Sequence, residues 1–114
     1  MKLNPCGYIL AATLIASTSL YTQESIKIGY AADISGAYGS IVDAATKAFR
    51  QGVEELNAGG GLLGRKIEVF ERDTKTGPDE GAKEVRDLIV NSKVDVITGV
   101  CSSGVLLAET AVSA

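Results

Sequence analysis

The chain has 114 residues, 46% of them hydrophobic, and a formal net charge of −3, which bounds it to one small soluble domain. No basic cluster stands out, so nucleic acid is not an expected partner. There is no histidine, which excludes His-based triads and Cys-His dyads and removes the commonest metal ligand.

The N-terminus reads Met1, Lys2, a mostly apolar run from Tyr8 to Ala16, and then Ser17-Thr18-Ser19. One positive charge, a short apolar run and small residues together predict a secretory signal peptide over residues 1–23, cleaved between Ala16 and Gln23. The run is too short for a membrane span. Cys6 precedes it and is expected to leave with the signal. Cys101 then stands as a lone thiol in an oxidising compartment, and the two cysteines make no zinc pattern. Neither a metal site nor a cofactor is expected.

The mature domain, 24–114, opens on a predicted strand, Ile26 to Ala32. Asp33 to Gly39 follows as a glycine-punctuated loop. From Ser40 to Asn57, Ile41, Ala45, Ala48, Phe49, Val53 and Leu56 recur at helical spacing and predict one buried face. Asn57-Ala58-Gly59-Gly60-Gly61 ends this helix, because glycine accepts the left-handed conformation of a C-terminal cap. Gly59 to Gly64 also satisfies Gly-x-Gly-x-x-Gly. A dinucleotide site needs those glycines after a strand and before a helix; here the order is reversed, so the match is accidental.

Arg65 to Arg72 reads as the second strand, with Ile67, Val69 and Phe70 as its apolar content. Asp73 to Gly77 is a polar loop. Pro78 suits the first position of a second helix, with Asp79 and Glu80 at the favourable end of its dipole. Ala82, Val85, Leu88 and Ile89 give that helix its buried stripe, and Asn91 and Ser92 end it.

Val94 to Val100, rich in β-branched residues, predicts a third, buried strand. Cys101-Ser102-Ser103-Gly104 interrupts it, and Leu106 to Ala114 opens a third helix. A strand that stops at small hydroxyl residues and restarts as a helix presents free N–H groups, which suit a carboxylate or phosphate. A serine here also serves as a plain N-cap. The residues alone leave these two readings open.

The order β-α-β-α-β-α predicts an α/β fold, three layers around a parallel sheet with right-handed crossovers. Ligands on such sheets bind outside the carboxyl ends of the strands. Ser35 to Gly39 and Cys101 to Gly104 emerge at that edge, with Asp73 to Gly77 on its rim. Asp33 and Asp73 lie near strand ends, where an α/β enzyme places metal or phosphoacceptor groups. They serve equally as loop or capping aspartates.

Three stretches carry a family resemblance: Ile26 to Gly39, Glu54 to Phe70, and Val94 to Gly104. They resemble the type I periplasmic binding proteins, and most closely the branched-chain amino acid (leucine/isoleucine/valine)-binding proteins of ABC importers. The resemblance implies a non-enzymatic, periplasmic, two-lobed clamp that presents a small amino acid or related carboxylate to ABC permease subunits. It implies that the chain is the first part of the N-terminal lobe of such a protein. In the family the serine after the third strand hydrogen-bonds the ligand carboxylate, which falls on Ser102, with Ser103 adjacent. The loop after the first strand helps wall the side-chain pocket, which points to Tyr38 and Ile41. Some members pair the cysteine matching Cys101 with one in the loop after the second strand; no residue from Asp73 to Gly77 is cysteine.

Two other functions remain compatible with the residues. One is a ligand-binding sensor domain of the same fold; the other is an α/β enzyme using Asp33 and Asp73. Because three parallel strands leave an edge open and a mature domain of ~90 residues buries little surface, the chain alone is expected to be marginally stable, or else to be a fragment of a longer protein.

Overall fold

The computed structural model describes residues 23–114. The proposed signal segment, apart from its last residue, and Cys6 lie outside the described residues. Three parallel strands, β1 (Ile26–Ala32), β2 (Ile67–Asp73) and β3 (Val96–Thr98), alternate with three helices, α1 (Gly39–Ala58), α2 (Pro78–Asp87) and α3 (Ser103–Ser113). The sheet order is β2-β1-β3. All seven residues of β1 pair with β2, from Ile26 opposite Ile67 to Ala32 opposite Asp73. Only Ile28, Gly29 and Tyr30 pair with β3.

Alternation along β1 sorts the layers. Tyr30 faces α1, where its hydroxyl shares a 3.1 Å hydrogen bond with Thr46 and its ring stacks on Phe49 with centroids 4.4 Å apart. Ala31 faces the opposite way and forms the buried core with Val85 and Leu88, surrounded by Phe70, Val94, Ile97 and Val112. The sheet therefore lies between α1 on one face and α2 with α3 on the other, the expected three layers. Fully burying side chains such as Val85, Leu88 and Val105 contributes about 1.5–3 kcal/mol each before entropic costs.

Polar contacts fix the register of the layers. Arg50 on α1 holds Glu71 through two bonds of 2.7 and 2.6 Å, and Arg72 on the other face reaches Asp87 at 2.7 Å. The Asn57 side chain at the end of α1 acts as a short strand: it accepts from the Ile67 N–H at 2.8 Å and donates to the Ile67 carbonyl at 2.9 Å. The glycine run after α1 is a tight turn. Gly60 and Gly61 have φ of +104° and +82°, and a Cβ on Gly61 would stand 2.0 Å from the Arg65 carbonyl oxygen.

Four expectations need correction. The buried stripe of α1 is Val42 and Thr46, continued by half-buried Phe49 and Val53, whereas Ile41 is 66% exposed and Ala45, Ala48 and Leu56 also face outward. Tyr30 causes the rotation: its ring recruits Phe49 and its hydroxyl satisfies Thr46, a residue that a purely apolar pattern passes over. The second helix does not end as a simple α-helix. After α2 the chain takes a π-helical turn, Leu88–Ser92, closed by Lys93 at φ 52°. β3 is three residues long rather than seven, and it is an edge strand with Val96 half exposed. Asp95 and Gly99 limit it. The Asp95 carboxylate accepts the Lys27 N–H at 2.8 Å, and Gly99 turns away at φ +113°. The third helix starts earlier than expected, at Ser103.

Candidate functional site

The carboxyl ends of β1, β2 and β3 open onto three loops, each leading into the N-terminus of a helix. Pairing of β1 with β3 puts the loop after β1 beside the loop after β3, and the loop after β2 lies on the other flank.

The first two loops are bonded through paired acid and hydroxyl groups. Asp73, the last residue of β2, accepts the Ser35 N–H at 3.2 Å, the Lys75 N–H at 3.0 Å and the Ser35 hydroxyl. Partial burial acts to raise its pKa. The Ser35 hydroxyl and the Lys75, Ser35 and Ile34 N–H groups outweigh that effect and hold it below the usual carboxylate value. Asp33 reciprocates from the end of β1: it accepts the Thr74 hydroxyl and, at 3.1 Å, the Thr76 N–H. Both aspartates thus build loops. Among the described residues no group of three or more His, Cys, Asp and Glu side chains is placed to hold a metal ion.

The third loop carries the candidate anchor. A Cβ on Gly99 would lie 2.9 Å from both the Ala31 carbonyl oxygen and the Tyr30 ring, so only glycine lets the chain leave β3 along this path. Ser102 then occupies the N-cap position of α3 with extended backbone (φ −90°, ψ 127°), and its carbonyl accepts the Leu106 N–H at 2.9 Å. Its hydroxyl makes no capping bond. This separates the two roles that the sequence left open: the backbone of Ser102 starts the helix, while its side chain is not used in doing so. Ser103 is the first helical residue and is exposed.

Tyr38 sits at the N-cap of α1, 40% exposed, and Ile41 lies within the first turn. Tyr38, Ile41, Ser102 and Ser103 therefore all belong to the carboxyl-end side of the sheet, on two adjacent loop–helix junctions. Cys101, next to Ser102, is exposed and free. A separate cavity of about 340 Å³ between the end of β3 and the inner face of α3 is lined by Ile97, Gly99, Leu106 and Glu109 among others, but not by either serine.

Sequence reading passed over two features here. Thr74 and Thr76 complete the Asp33 clip, as Ser35 and Lys75 complete that of Asp73, and the order Asp-x-Ser in one loop with Asp-Thr-x-Thr in the other is the signal that was available. Glu109, on an otherwise uncharged helix, is buried on the face toward α2.

The family sequence model described as periplasmic binding protein matches residues 25–113 of the chain. The Leu/Ile/Val-binding protein homolog 8 of Brucella abortus is 29% identical over 107 residues, covering 94% of this chain and 26% of its own length. Among solved structures, the branched-chain amino acid transporter substrate binding protein LivJ of Streptococcus pneumoniae, in complex with isoleucine, is 35% identical, with a TM-score of 0.74 over 78% of this chain and 26% of the other. A solute binding protein of an ABC transporter from R. palustris, in complex with benzoate, is 28% identical with a TM-score of 0.67, covering 78% of this chain and 24% of the other. The chain thus spans about a quarter of the length of these relatives.

Proposed function

From its membership of the periplasmic binding protein family, to which this chain belongs, we propose that residues 24–114 are the first part of the N-terminal lobe of a solute-binding component of an ABC importer. Residues 1–23 act as the secretory signal that delivers it to the periplasm. The ligand is an amino acid, branched-chain in the first instance, and the partners are the permease subunits of the importer. It binds and does not catalyse.

One observation carries this reading: Ser102 stands at the N-terminus of α3 with a hydroxyl that helix capping does not use. A carboxylate there meets the free N–H groups of the first turn and the positive end of the helix dipole. The dipole contributes roughly 0.3–2 kcal/mol, and hydrogen bonds to the charged group add more. Isoleucine and benzoate, the ligands in two relatives, both carry a carboxylate. Tyr38 and Ile41, at the mouth of the neighbouring loop, are then the side chains placed to meet the rest of the ligand, with Ser103 as the adjacent polar group.

A chimera tests this. Residues 24–114 replace the corresponding segment of the Streptococcus pneumoniae relative, and calorimetry follows leucine, isoleucine, valine and benzoate. Saturable binding of a branched-chain amino acid, weakened when Ser102 becomes alanine, is the expected result. A folded chimera that binds none of the four overturns the proposal.

A further inference from the structure

β3 is an edge of the sheet: it pairs with β1 on one side and, among the described residues, with no strand on the other. Val96 and Thr98 are exposed along it, as is Leu106 of α3. Two cavities border this edge. One, of about 350 Å³, is lined by Ile89, Val94 and Val96. The other, of about 340 Å³, is lined by Val85, Val100 and Leu106. They share Ile97 and Ser113 in their walls, so together they make a groove beside residues 94–100 with α3 as its far wall. Seven extended residues span about 23 Å, the reach of a single strand.

Charge decides what fits. Glu109 lines the groove and is 3% exposed, yet its Oε1 has no hydrogen-bond partner. That oxygen lies against α2, where a Cβ on Gly81 would stand 3.1 Å from it. The other acid of the groove, Asp95, is exposed and directs its carboxylate to the Lys27 N–H. Among the described residues no lysine or arginine lines either cavity. The bases of the neighbouring elements are engaged, Lys83 by Glu80 and Glu84, and Arg72 by Glu84 and Asp87. A buried carboxylate without a partner is costly, and a cation that reaches it with hydrogen bonds offsets that cost. Burial, with the Asp33 charge adding to it, pushes the Glu109 carboxyl up to about 7, as expected of an acid that lacks such a partner.

We propose that this groove receives an extended polypeptide segment that adds to β3 and sets a lysine or arginine side chain on Glu109. Main-chain hydrogen bonds are open to any segment at an unpaired edge; the buried acid is what selects the residue. Residues opposite one another on neighbouring strands point to the same face of the sheet. The residue that comes to lie opposite Ile97 therefore points, as Ile97 does, toward the core formed with Val85 and Leu88. Its stem lies along Ile97, Val85 and Leu106, and its charged end meets Glu109. A long unbranched stem with a terminal cation matches a cavity that has apolar walls and one charged group. The importer's ligand plays no part in this docking, which stands or falls apart from the proposed function.

The test uses the full chain and capped, fluorescein-labelled seven-residue peptides of alternating valine and threonine, with lysine, norleucine or glutamate at the central position. By anisotropy, the lysine peptide should bind about tenfold more tightly than the norleucine peptide, which has the same stem without the charge. The glutamate peptide should bind most weakly. Hydrogen exchange at the Val96, Ile97, Thr98 and Gly99 amides should slow in the complex. Glu109→Gln should erase the preference for lysine while the norleucine peptide still binds. Equal binding of the lysine and norleucine peptides to the wild type overturns the proposal, and this comparison needs no variant to fold. So does failure of both peptides to bind, or a lysine preference that survives Glu109→Gln. Butylammonium chloride that binds as tightly as the lysine peptide overturns the strand as occupant, because a free amine would then suffice.

Discussion

Gly36 and Thr76 touch so closely that a Cβ on Gly36 would stand 2.2 Å from Thr76 Oγ1 and 2.5 Å from the Lys75 carbonyl carbon. The loop after β1 is thus pressed against the backbone of the loop after β2, with no room for a methyl group. Ser35, one residue earlier, makes the hydrogen bonds to Asp73 that hold this contact. Gly36→Ala must push the loops apart. It is expected to cost about 1–3 kcal/mol of stability, the usual penalty for overpacking a tight contact. An unchanged urea midpoint would count against the packing described.

Gly81→Ala sets two effects against each other. Alanine in place of glycine in a helix gains about 1 kcal/mol, yet the new Cβ would meet Val105 Cγ1 at 2.6 Å. Val105 is fully buried and has nowhere to go. The steric term should win and the variant should be less stable. Adding Val105→Ala to it should recover part of the loss, because the clash disappears. Additive losses in the double variant would show that the two residues are not in contact.

Asn57→Ala leaves the Ile67 N–H and carbonyl without their side-chain partners at the start of β2. Losing hydrogen bonds to partly buried backbone groups costs about 1–3 kcal/mol. Asn57→Asp keeps the acceptor and loses the donor, so it should fall between alanine and wild type. Hydrogen exchange at the Ile67 amide gives a local readout: fast in alanine and slower in aspartate.

Ser102→Ala separates capping from ligand contact. An N-cap serine whose hydroxyl bonds the helix loses about 1 kcal/mol on truncation. Here the hydroxyl makes no such bond, so the stability change should stay within about 0.5 kcal/mol, as for a surface substitution. Carboxylate affinity in the two-lobed chimera should fall by about 1–3 kcal/mol. A stability loss with unchanged affinity would return Ser102 to a capping role.

Much of the architecture was legible because local rules agreed with one another. Pro78 at the start of α2, with Asp79 and Glu80 behind it, marks a helix N-terminus without reference to anything distant. The glycines after α1 mark a turn that only they can adopt. The site was legible only in outline. Ser102 stood out as a candidate through its match to the binding-protein pattern after the third strand, while the residues alone left an N-cap open as well. Whether its hydroxyl is used in capping depends on the backbone angle at which α3 begins.

By itself, then, the sequence determined the order of strands and helices, the three-layer arrangement and the loops that form the carboxyl edge. These follow from periodicity and turn chemistry over a few residues. Tertiary structure alone decided which face of α1 is buried, how short β3 is, and where Glu109 goes. Thr46 is buried because Tyr30, sixteen residues away, satisfies it. β3 is confined between an aspartate that bonds β1 and a glycine with φ +113°. Glu109, the one charged residue of α3, is buried because α3 packs there against α2 over Gly81, a glycine twenty-eight positions earlier that leaves room for it.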